Sequence, residues 1–238
     1  MEVINRFFSL EFMIKEIPFI ISYLPTTLFM AVMATLIGWI IGFFVAFVRI
    51  RKTPVLNQMA AFYISFIRGT PLMVQIYLTY YGIPIMITIW NTLNGRPNDT
   101  VNAYPPMAFA IIAFSVNCGA YSSETIRAAI LAIDKGQMEA AYSVGLTTAQ
   151  TMRRIILPQA AIVALPMFCS SFMSNVLGTS LAFTVSVIDI MAAARLVGGR
   201  AYRYFEVFVI AAIIYWIVCF FIQQITKWIE NKLRIPGT

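Results

Sequence analysis

Long apolar runs dominate this sequence. They extend from about Pro25 to Val48, from Met59 to Ile83, from Pro105 to Ile126, from Pro158 past Gly178, and from Phe205 to Ile225. A bilayer needs about twenty apolar helical residues to cross it, and lipid offers no partner to unpaired backbone groups. The runs are too continuous for the alternating strands of a membrane barrel. The sequence therefore predicts an all-α polytopic membrane protein with about five transmembrane helices, in one domain over residues 1–238. The stretch from Leu181 to Ile190 continues the fourth run and is predicted to be re-entrant.

The composition agrees, because 60% of the 238 residues are hydrophobic and only 11% are charged. A soluble domain is about half apolar and a quarter charged, so too few polar side chains remain here to cover a water-exposed surface. The 17 Lys and Arg residues outnumber the 10 Asp and Glu residues. Because these basic residues lie at the ends of apolar runs, they indicate topology rather than nucleic-acid binding.

The distribution of basic residues predicts the orientation in a bacterial inner membrane. With the N-terminus outside, the inner side receives Arg49, Arg51, Lys52, Arg127, Lys135, Arg153, Arg154, Lys227, Lys232 and Arg234. The outer side receives Arg6, Lys15, Arg96, Arg195, Arg200 and Arg203, and the last three oppose the bias. The first residues, Met1 to Glu16, show no cleavable signal peptide and predict a short amphipathic helix that precedes the first span.

Residues for catalysis or metal binding are scarce. There is no histidine, and Cys118, Cys169 and Cys219 are isolated inside apolar segments, where free cysteine acts as a small buried hydrophobe. No GxxxxGK[ST] loop is present to hold nucleotide phosphates. We therefore expect no enzyme activity, no ATPase site, and no metal or cofactor in this chain.

The connection between the third and fourth runs is polar and covers about residues 127–158. Strong helix formers on both sides of Gly145 predict two short helices that turn at that glycine, since glycine accepts backbone angles that other residues resist. Pro158 suits the first turn of the next span. On the predicted orientation, this loop is cytoplasmic.

The loop resembles a known motif. It resembles the EAA loop of binding-protein-dependent ABC importer permeases at every fixed position. These positions are Glu139-Ala140-Ala141, then Gly145 after three residues, Ile155 after nine more, and Leu157-Pro158 after one more. Phe66 to Gln75 resembles the FRGTPLLVQ segment of the polar amino acid permeases within that group. Further segments resemble the same permeases: Ala120-Tyr121, Glu124, Arg127, Lys135-Gly136-Gln137 and Thr179-Ser180-Leu181. The resemblance therefore covers nearly the whole chain.

The resemblance implies a type I (MetI-like) permease that takes up polar amino acids, with cystine among the candidates, by alternating access. Its partners would be ABC ATPase subunits that bind ATP and Mg, a second permease copy or a homologous permease, and an external or periplasmic binding protein. Glu139, Ala140, Ala141 and Gly145 would then form the coupling helix that contacts the ATPase.

Polar groups inside spans are costly and usually functional. The candidates for a substrate pathway are Arg68, Gln75, Asn117, Ser174, Asn175, Thr179 and Ser180. Arg68 is suited to a substrate carboxylate, but we favour a structural role in which it binds freed backbone carbonyls or a carboxylate. Glu124 and Arg127 are three residues apart and predict a structural ion pair near the inner boundary.

One departure bears on the substrate. Many relatives carry a charged pair before Thr-Ser-Leu, where this chain has Leu177-Gly178. Substrate recognition would therefore differ, rest on the binding protein, or belong to the other half of a heterodimer. The alternative function is an ion-coupled secondary transporter, which predicts buried acidic groups within the spans, whereas only Glu124 and Asp189 lie near span boundaries.

Overall fold

A computed structural model describes residues 8–97 and 104–233, and these residues contain helices and connections but no strand. The α-helices are α1 Leu10–Ile21, α2 Leu24–Arg51, α3 Pro54–Arg68, α4 Leu72–Leu93, α5 Pro106–Leu131, α6 Lys135–Ser143, α7 Thr148–Thr151, α8 Leu157–Gly178, α9 Ile190–Ala201 and α10 Tyr204–Leu233. A π-helical turn, Met152–Ile156, joins α7 to α8, and a 3-10 helix, Thr179–Val185, follows α8. The prediction of an all-α membrane protein is confirmed.

Four described segments are long and apolar enough to cross a membrane: α2, α4, the stretch Thr148–Val185 that contains α8, and α10. The predicted third span corresponds to α5, whose 26 residues extend over about 39 Å at a rise of about 1.5 Å per residue. It is long enough to span but is more polar than the others. Its polar residues include Ser115, Asn117, Ser122, Ser123 and Glu124. Helix α5 packs against α2, α4 and α8 and occupies the centre of the bundle, so much of its polar surface faces protein.

The predicted second span is wrong in its boundaries. The run from Met59 to Ile83 is broken after Arg68, where α3 ends, and the span begins at Leu72. Pro71 is the cause, because its ring disfavours helical angles in the residue before it and it has no amide hydrogen to donate. The 15 residues of α3 extend over only about 22 Å, too short for a hydrocarbon core of about 30 Å.

Helices α2 and α5 approach closely through small residues. A Cβ atom on Gly38 would lie 2.6 Å from Cys118 Cβ, and one on Gly42 would lie 2.7 Å from Ser122 Cβ. From the other helix, a Cβ atom on Gly119 would lie 2.7 Å from Ile41 Cγ2. The GxxxG spacing of Gly38 and Gly42 therefore serves packing between helices of this chain.

Helix α1 lies against α9 and α10. Glu16 accepts a hydrogen bond from Arg200 at 3.1 Å, and Arg203 pairs with the buried Glu206 at 2.7 Å. Arg195 lies over the ring of Phe183 at 4.2 Å. The three arginines that oppose the predicted charge bias thus each have a partner within the chain. The predicted helix over Met1 to Glu16 is observed from Leu10 onward, and residues 1–7 lie outside the described part.

The fourth run does not continue as one helix. After the 3-10 segment, Ser186 has a left-handed φ of 64°, and the chain turns into α9. Asp189 caps α9 and is fully buried: its Oδ1 accepts from the Ala192 amide at 2.8 Å and its Oδ2 accepts from the Tyr215 hydroxyl at 3.0 Å. The hydrogen bonds of this carboxylate therefore hold a helix junction.

Candidate functional site

A polar cavity of about 770 Å³ lies between the start of α4, the middle of α5 and the middle of α8. Its lining is formed by Thr70, Pro71, Leu72, Asn117, Cys118, Tyr121, Thr125, Pro166, Met167, Ser170, Ser171, Ser174 and Asn175. These side chains offer hydroxyl and amide groups, and none of the described lining residues is an acid, a lysine or an arginine. The cavity is large enough for a polar molecule the size of a large amino acid.

The cavity deepens away from the loop between α5 and α8. Thr125 and Pro166 lie toward the helix ends that join this loop, and Asn117 lies about 12 Å further along α5. On α8, Met167 is 47% exposed whereas Asn175 is 8% exposed. The polar floor therefore lies near Asn117 and Asn175, and the exposed end lies toward the loop.

Asn175 links the cavity floor to another helix. Its Nδ2 donates to Thr35 Oγ1 on α2 at 2.7 Å in a buried hydrogen bond. Because an amide in apolar surroundings is costly unless paired, this bond holds the wall formed by α8 in one place against α2.

Gln75 was predicted as a pathway residue, but the structure places it behind the cavity wall, where it is 4% exposed. Its Nε2 donates to the backbone oxygen of Ile67 at 2.8 Å and to that of Thr70 at 3.0 Å. Its Oε1 accepts from Asn117 Nδ2 at 2.9 Å. Gln75 thus closes the break between α3 and α4 and contacts the cavity only through Asn117.

Thr179 and Ser180 are also candidates that do not line this cavity. Thr179 is buried and donates to the Val176 carbonyl at 2.7 Å, while Ser180 donates to the Leu177 carbonyl at 2.7 Å. Both hydroxyls therefore satisfy carbonyls at the end of α8. Ser180 borders a separate groove with Tyr215 and Trp216.

Arg68 lies at the end of α3 and is exposed, with its guanidinium carbon 5.3 Å from the centre of the Tyr121 ring. Since Tyr121 lines the cavity, Arg68 lies at its edge and not inside a span. The freed carbonyls that we expected Arg68 to bind are satisfied in part by Gln75. The expected neighbouring carboxylate is Glu124, with which Arg68 interacts electrostatically.

The predicted ion pair between Glu124 and Arg127 is confirmed, with 2.6 Å between Arg127 Nη2 and Glu124 Oε2. Arg49 also contributes to the electrostatic field at Glu124. The two residues lie on α5 on either side of Thr125, which lines the exposed end of the cavity.

The loop after α5 folds into two helical pieces, as predicted. Asp134 caps α6 by accepting from the Gly136 amide. At the other end, Gly145 has a φ of 80°, its amide bonds to the Tyr142 carbonyl at 3.0 Å, and the Leu146 amide bonds to the Ala141 carbonyl at 3.1 Å. These bonds form a Schellman motif, which requires the left-handed backbone that glycine accepts most readily.

The predicted coupling residues do not share one environment. Glu139, Ala140 and Gly145 are exposed, and a Cβ atom added to Gly145 would meet nothing within 4 Å. Ala141 is 2% exposed and faces its own chain. Glu139 and Ala140 therefore present the free surface of α6, while Ala141 anchors the helix. We refer to α6 and its Gly145 turn as the elbow.

The elbow is joined to the cavity by a short link at residues 146–147, followed by continuous helical backbone from Thr148 to Gly178. Thr147 begins α7 with a capping box, in which its hydroxyl accepts from the Gln150 amide and Gln150 Oε1 accepts from the Thr147 amide. The π-helical turn then leads directly into α8. The helix that carries Ser174 and Asn175 is thus connected to the elbow through α7 and this turn.

Several lining residues escaped prediction from the sequence. Tyr121 and Thr125 follow Asn117 at intervals of four, and Ser170 and Ser171 precede Ser174 and Asn175 by four. This helical spacing places each set on one face. The spacing could have indicated these lining residues. A single tyrosine, serine or threonine does not indicate a site, because these residues are common in membrane helices.

Residues 38–235 match the family model described as the binding-protein-dependent transport system inner membrane component. The chain belongs to this family. A similar curated protein is the probable amino-acid ABC transporter permease PatM of Vibrio harveyi, 42% identical over 95% of this chain and 97% of that protein. The L-cystine transport system permease TcyL of Bacillus subtilis is 34% identical over 97% of this chain and 93% of that protein.

A solved structure extends the match to three dimensions. The crystal structure of an amino acid ABC transporter with histidines contains a chain that superposes with a TM-score of 0.81 at 32% identity, covering 94% of this chain and 99% of that one. The predicted type I ABC importer permease fold is thereby confirmed. As a member of this permease family, the protein is a multi-pass component of the inner membrane, and the alternative of an ion-coupled secondary transporter is not supported.

Proposed function

We propose that this permease takes up a polar amino acid through the cavity between α4, α5 and α8, and that a partner ATPase powers the step through the elbow. The proposal is supported by the relatives, which are named as a probable amino-acid permease and an L-cystine permease. The observation that carries it is the helical path that starts directly after the Gly145 turn of the elbow and reaches the cavity floor at Asn175.

The elbow has the properties of a docking surface. Glu139 and Ala140 are exposed side by side, so a small residue permits close approach while a carboxylate can pair with a cation on the partner. Gly145 maintains the turn, and Ala141 anchors α6 to its own chain. ATP and Mg would be bound by the partner ATPase, because the chain has no phosphate-binding loop.

The cavity suits a zwitterion of modest size. Its hydroxyl and amide groups offer hydrogen bonds, and Arg68 at its edge supplies a positive charge that attracts a carboxylate. Leu177 and Gly178 place no charge at the end of α8. An amino acid whose side chain carries no net charge fits this lining best, and L-cystine, whose second half is itself a zwitterion, is the first candidate from the relatives.

The proposed assembly has the N-terminus outside and the elbow and C-terminus in the cytoplasm. A binding protein delivers the substrate to the outer side, and a second permease, identical or homologous, completes the pathway. In this orientation Arg195, Arg200 and Arg203 lie on the outer side, where ion pairs with Glu16 and Glu206 hold Arg200 and Arg203 and the Phe183 ring contacts Arg195.

The proposal is tested by reconstituting the permease with its ATPase and binding protein in liposomes. Uptake of L-cystine and of each common amino acid is measured with and without ATP. We expect ATP-dependent uptake that Ser174→Phe reduces at least tenfold, because the ring fills the cavity. Ser65→Phe, on the exposed surface of α3, is the matched control and leaves uptake unchanged. Uptake without the ATPase, or full uptake by Ser174→Phe, overturns the proposal.

A further inference from the structure

The hydrogen bonds of Gln75 determine which end of its amide faces which neighbour. Three acceptors surround its Nε2: the backbone oxygens of Ile67 at 2.8 Å and Thr70 at 3.0 Å, and Thr70 Oγ1 at 3.0 Å. The Thr70 hydroxyl donates its own hydrogen to the Phe66 carbonyl at 2.9 Å. A carbonyl oxygen cannot donate, so turning the Gln75 amide over would place its oxygen against backbone oxygens. Only the NH2 group can occupy this position.

The orientation of Gln75 determines that of Asn117. Since Gln75 Oε1 can only accept, the atom of Asn117 that lies 2.9 Å away must be the donor Nδ2. The remaining polar atom of the Asn117 side chain is then Oδ1. Asn117 lines the cavity, and no described residue donates to this oxygen. The site therefore contains a carbonyl acceptor whose direction is set by the backbone at the break between α3 and α4.

The deeper wall shows a second amide with the same polarity. Asn175 Nδ2 donates to Thr35 Oγ1 at 2.7 Å, and no described residue donates to the side-chain oxygen of Asn175, which also lines the cavity. Each of the two amides thus uses one N–H on the protein, and neither side-chain oxygen has a donor among the described residues. A group that carries several N–H donors and a positive charge matches such a floor, and the ammonium of an amino acid is such a group.

We propose that Gln75 is a positioning residue that holds Asn117 as the hydrogen-bond acceptor for the substrate ammonium. This inference rests on the proposed function, because it requires the cavity to be the substrate site. It also sets the direction of the bound amino acid. The ammonium lies at the floor, and the carboxylate extends toward the exposed end, where the positive charge of Arg68 lies beside Tyr121.

The test compares an amino acid with its N-acetyl derivative, which lacks the ammonium but keeps the carboxylate and side chain. The complex of permease and ATPase is embedded in nanodiscs without the binding protein. The probe is the amino acid that the uptake panel selects, and both compounds compete against its radiolabelled form. The ratio of their inhibition constants reports recognition of the ammonium and is insensitive to the fraction of folded protein.

The wild-type complex is expected to favour the free amino acid at least tenfold, the factor that corresponds to a hydrogen bond with a charged group. Gln75→Glu, when ionised, cannot donate to the Ile67 and Thr70 carbonyls and is repelled by them, so Asn117 is released and the ratio falls toward one. Asn117→Leu removes the acceptor and also lowers the ratio, whereas ionised Asn117→Asp loses the bond to Gln75 Oε1 but keeps negatively charged acceptor oxygens, so its ratio stays above that of Asn117→Leu. Gln159→Glu is the matched control, because Gln159 also donates to a backbone carbonyl, at 3.1 Å, but lies outside the cavity lining.

The outcomes separate the two proposals. If no panel amino acid binds, or if Asn117→Leu changes neither affinity nor ratio, the cavity is not the substrate site and the proposed function fails with the inference. If Asn117→Leu lowers the ratio but Gln75→Glu leaves it at the wild-type value, the cavity remains the site and only the positioning role of Gln75 is overturned. An equal fall in Asn117→Asp and Asn117→Leu overturns the acceptor role.

Discussion

Asn175 on α8 donates a buried hydrogen bond of 2.7 Å to Thr35 on α2, across 140 residues of sequence. The bond ties the helix that carries the cavity floor to the helix that packs most extensively on α5. Because α8 also continues into the elbow, Thr35 is one of the points against which movement of α8 is resisted.

Thr35→Val keeps the shape of this side chain but removes the acceptor. We expect it to lower the free energy of unfolding by ~1 kcal/mol, the order found for hydrogen bonds between membrane helices. Thermal unfolding of the purified permease in detergent measures the change. Thr148→Val is the control, because Thr148 is exposed at the start of α7. An unfolding midpoint for Thr35→Val no lower than that of the control contradicts the prediction.

Gly42→Ala tests the close contact between α2 and α5. The added Cβ would lie 2.7 Å from Ser122 Cβ and 3.1 Å from the Gly119 carbonyl oxygen, so the helices must separate. Overpacking of this kind costs about 1–3 kcal/mol of stability.

The matched control is Gly82→Ala in α4, where a Cβ atom meets nothing within 4 Å. In a helix interior this exchange stabilises by about 0.5–1 kcal/mol relative to glycine. The two alanine variants should therefore shift thermal unfolding in opposite directions. Equal shifts in the unfolding temperature of the two variants would mean that α2 and α5 separate at Gly42 without loss of stability.

The sequence was sufficient where local chemistry decides the structure. Apolar length predicted the spans α2 and α10, and Gly145 predicted the turn in the elbow. Each of these features depends on residues close in the chain or on one backbone angle. For this reason the resemblance and the physical argument converged on the same loop.

The sequence was insufficient where distant residues share hydrogen bonds. Gln75 and Asn117 are 42 residues apart, and nothing local indicates that one amide sets the direction of the other. Arg68 was predicted inside a span because its neighbours are apolar, although Pro71 ends the helix first. The composition of a window of sequence carries no information about such a break or about which carbonyls a remote amide will satisfy.

Gly145→Ala tests the geometry of the elbow. With a φ of 80° and no neighbour within 4 Å, the substitution acts through the backbone alone, at a cost of about 1–2 kcal/mol. We expect substrate-stimulated ATP turnover by the reconstituted complex to fall several-fold while the spans remain folded. Gly145→Asn is the variant to compare with Gly145→Ala, because asparagine tolerates left-handed backbone angles better than alanine. Turnover by Gly145→Asn should lie between wild type and Gly145→Ala, and the reverse order would contradict the role of this angle.

Glu139→Lys reverses the exposed charge on α6 without disturbing a side-chain contact, since no described residue pairs with the Glu139 carboxylate and Ser143 donates only to the Glu139 backbone oxygen. If the carboxylate pairs with a cation on the ATPase, reversal creates a like-charge contact, and we expect at least a tenfold loss of ATPase co-purified with the permease. The loss should be smaller at high salt, where the repulsion is screened. Gln137→Lys, exposed on the same helix, introduces the same cationic side chain two residues away and controls for a new lysine on this surface. Equal retention of the ATPase by both variants would place the docking contact elsewhere than Glu139.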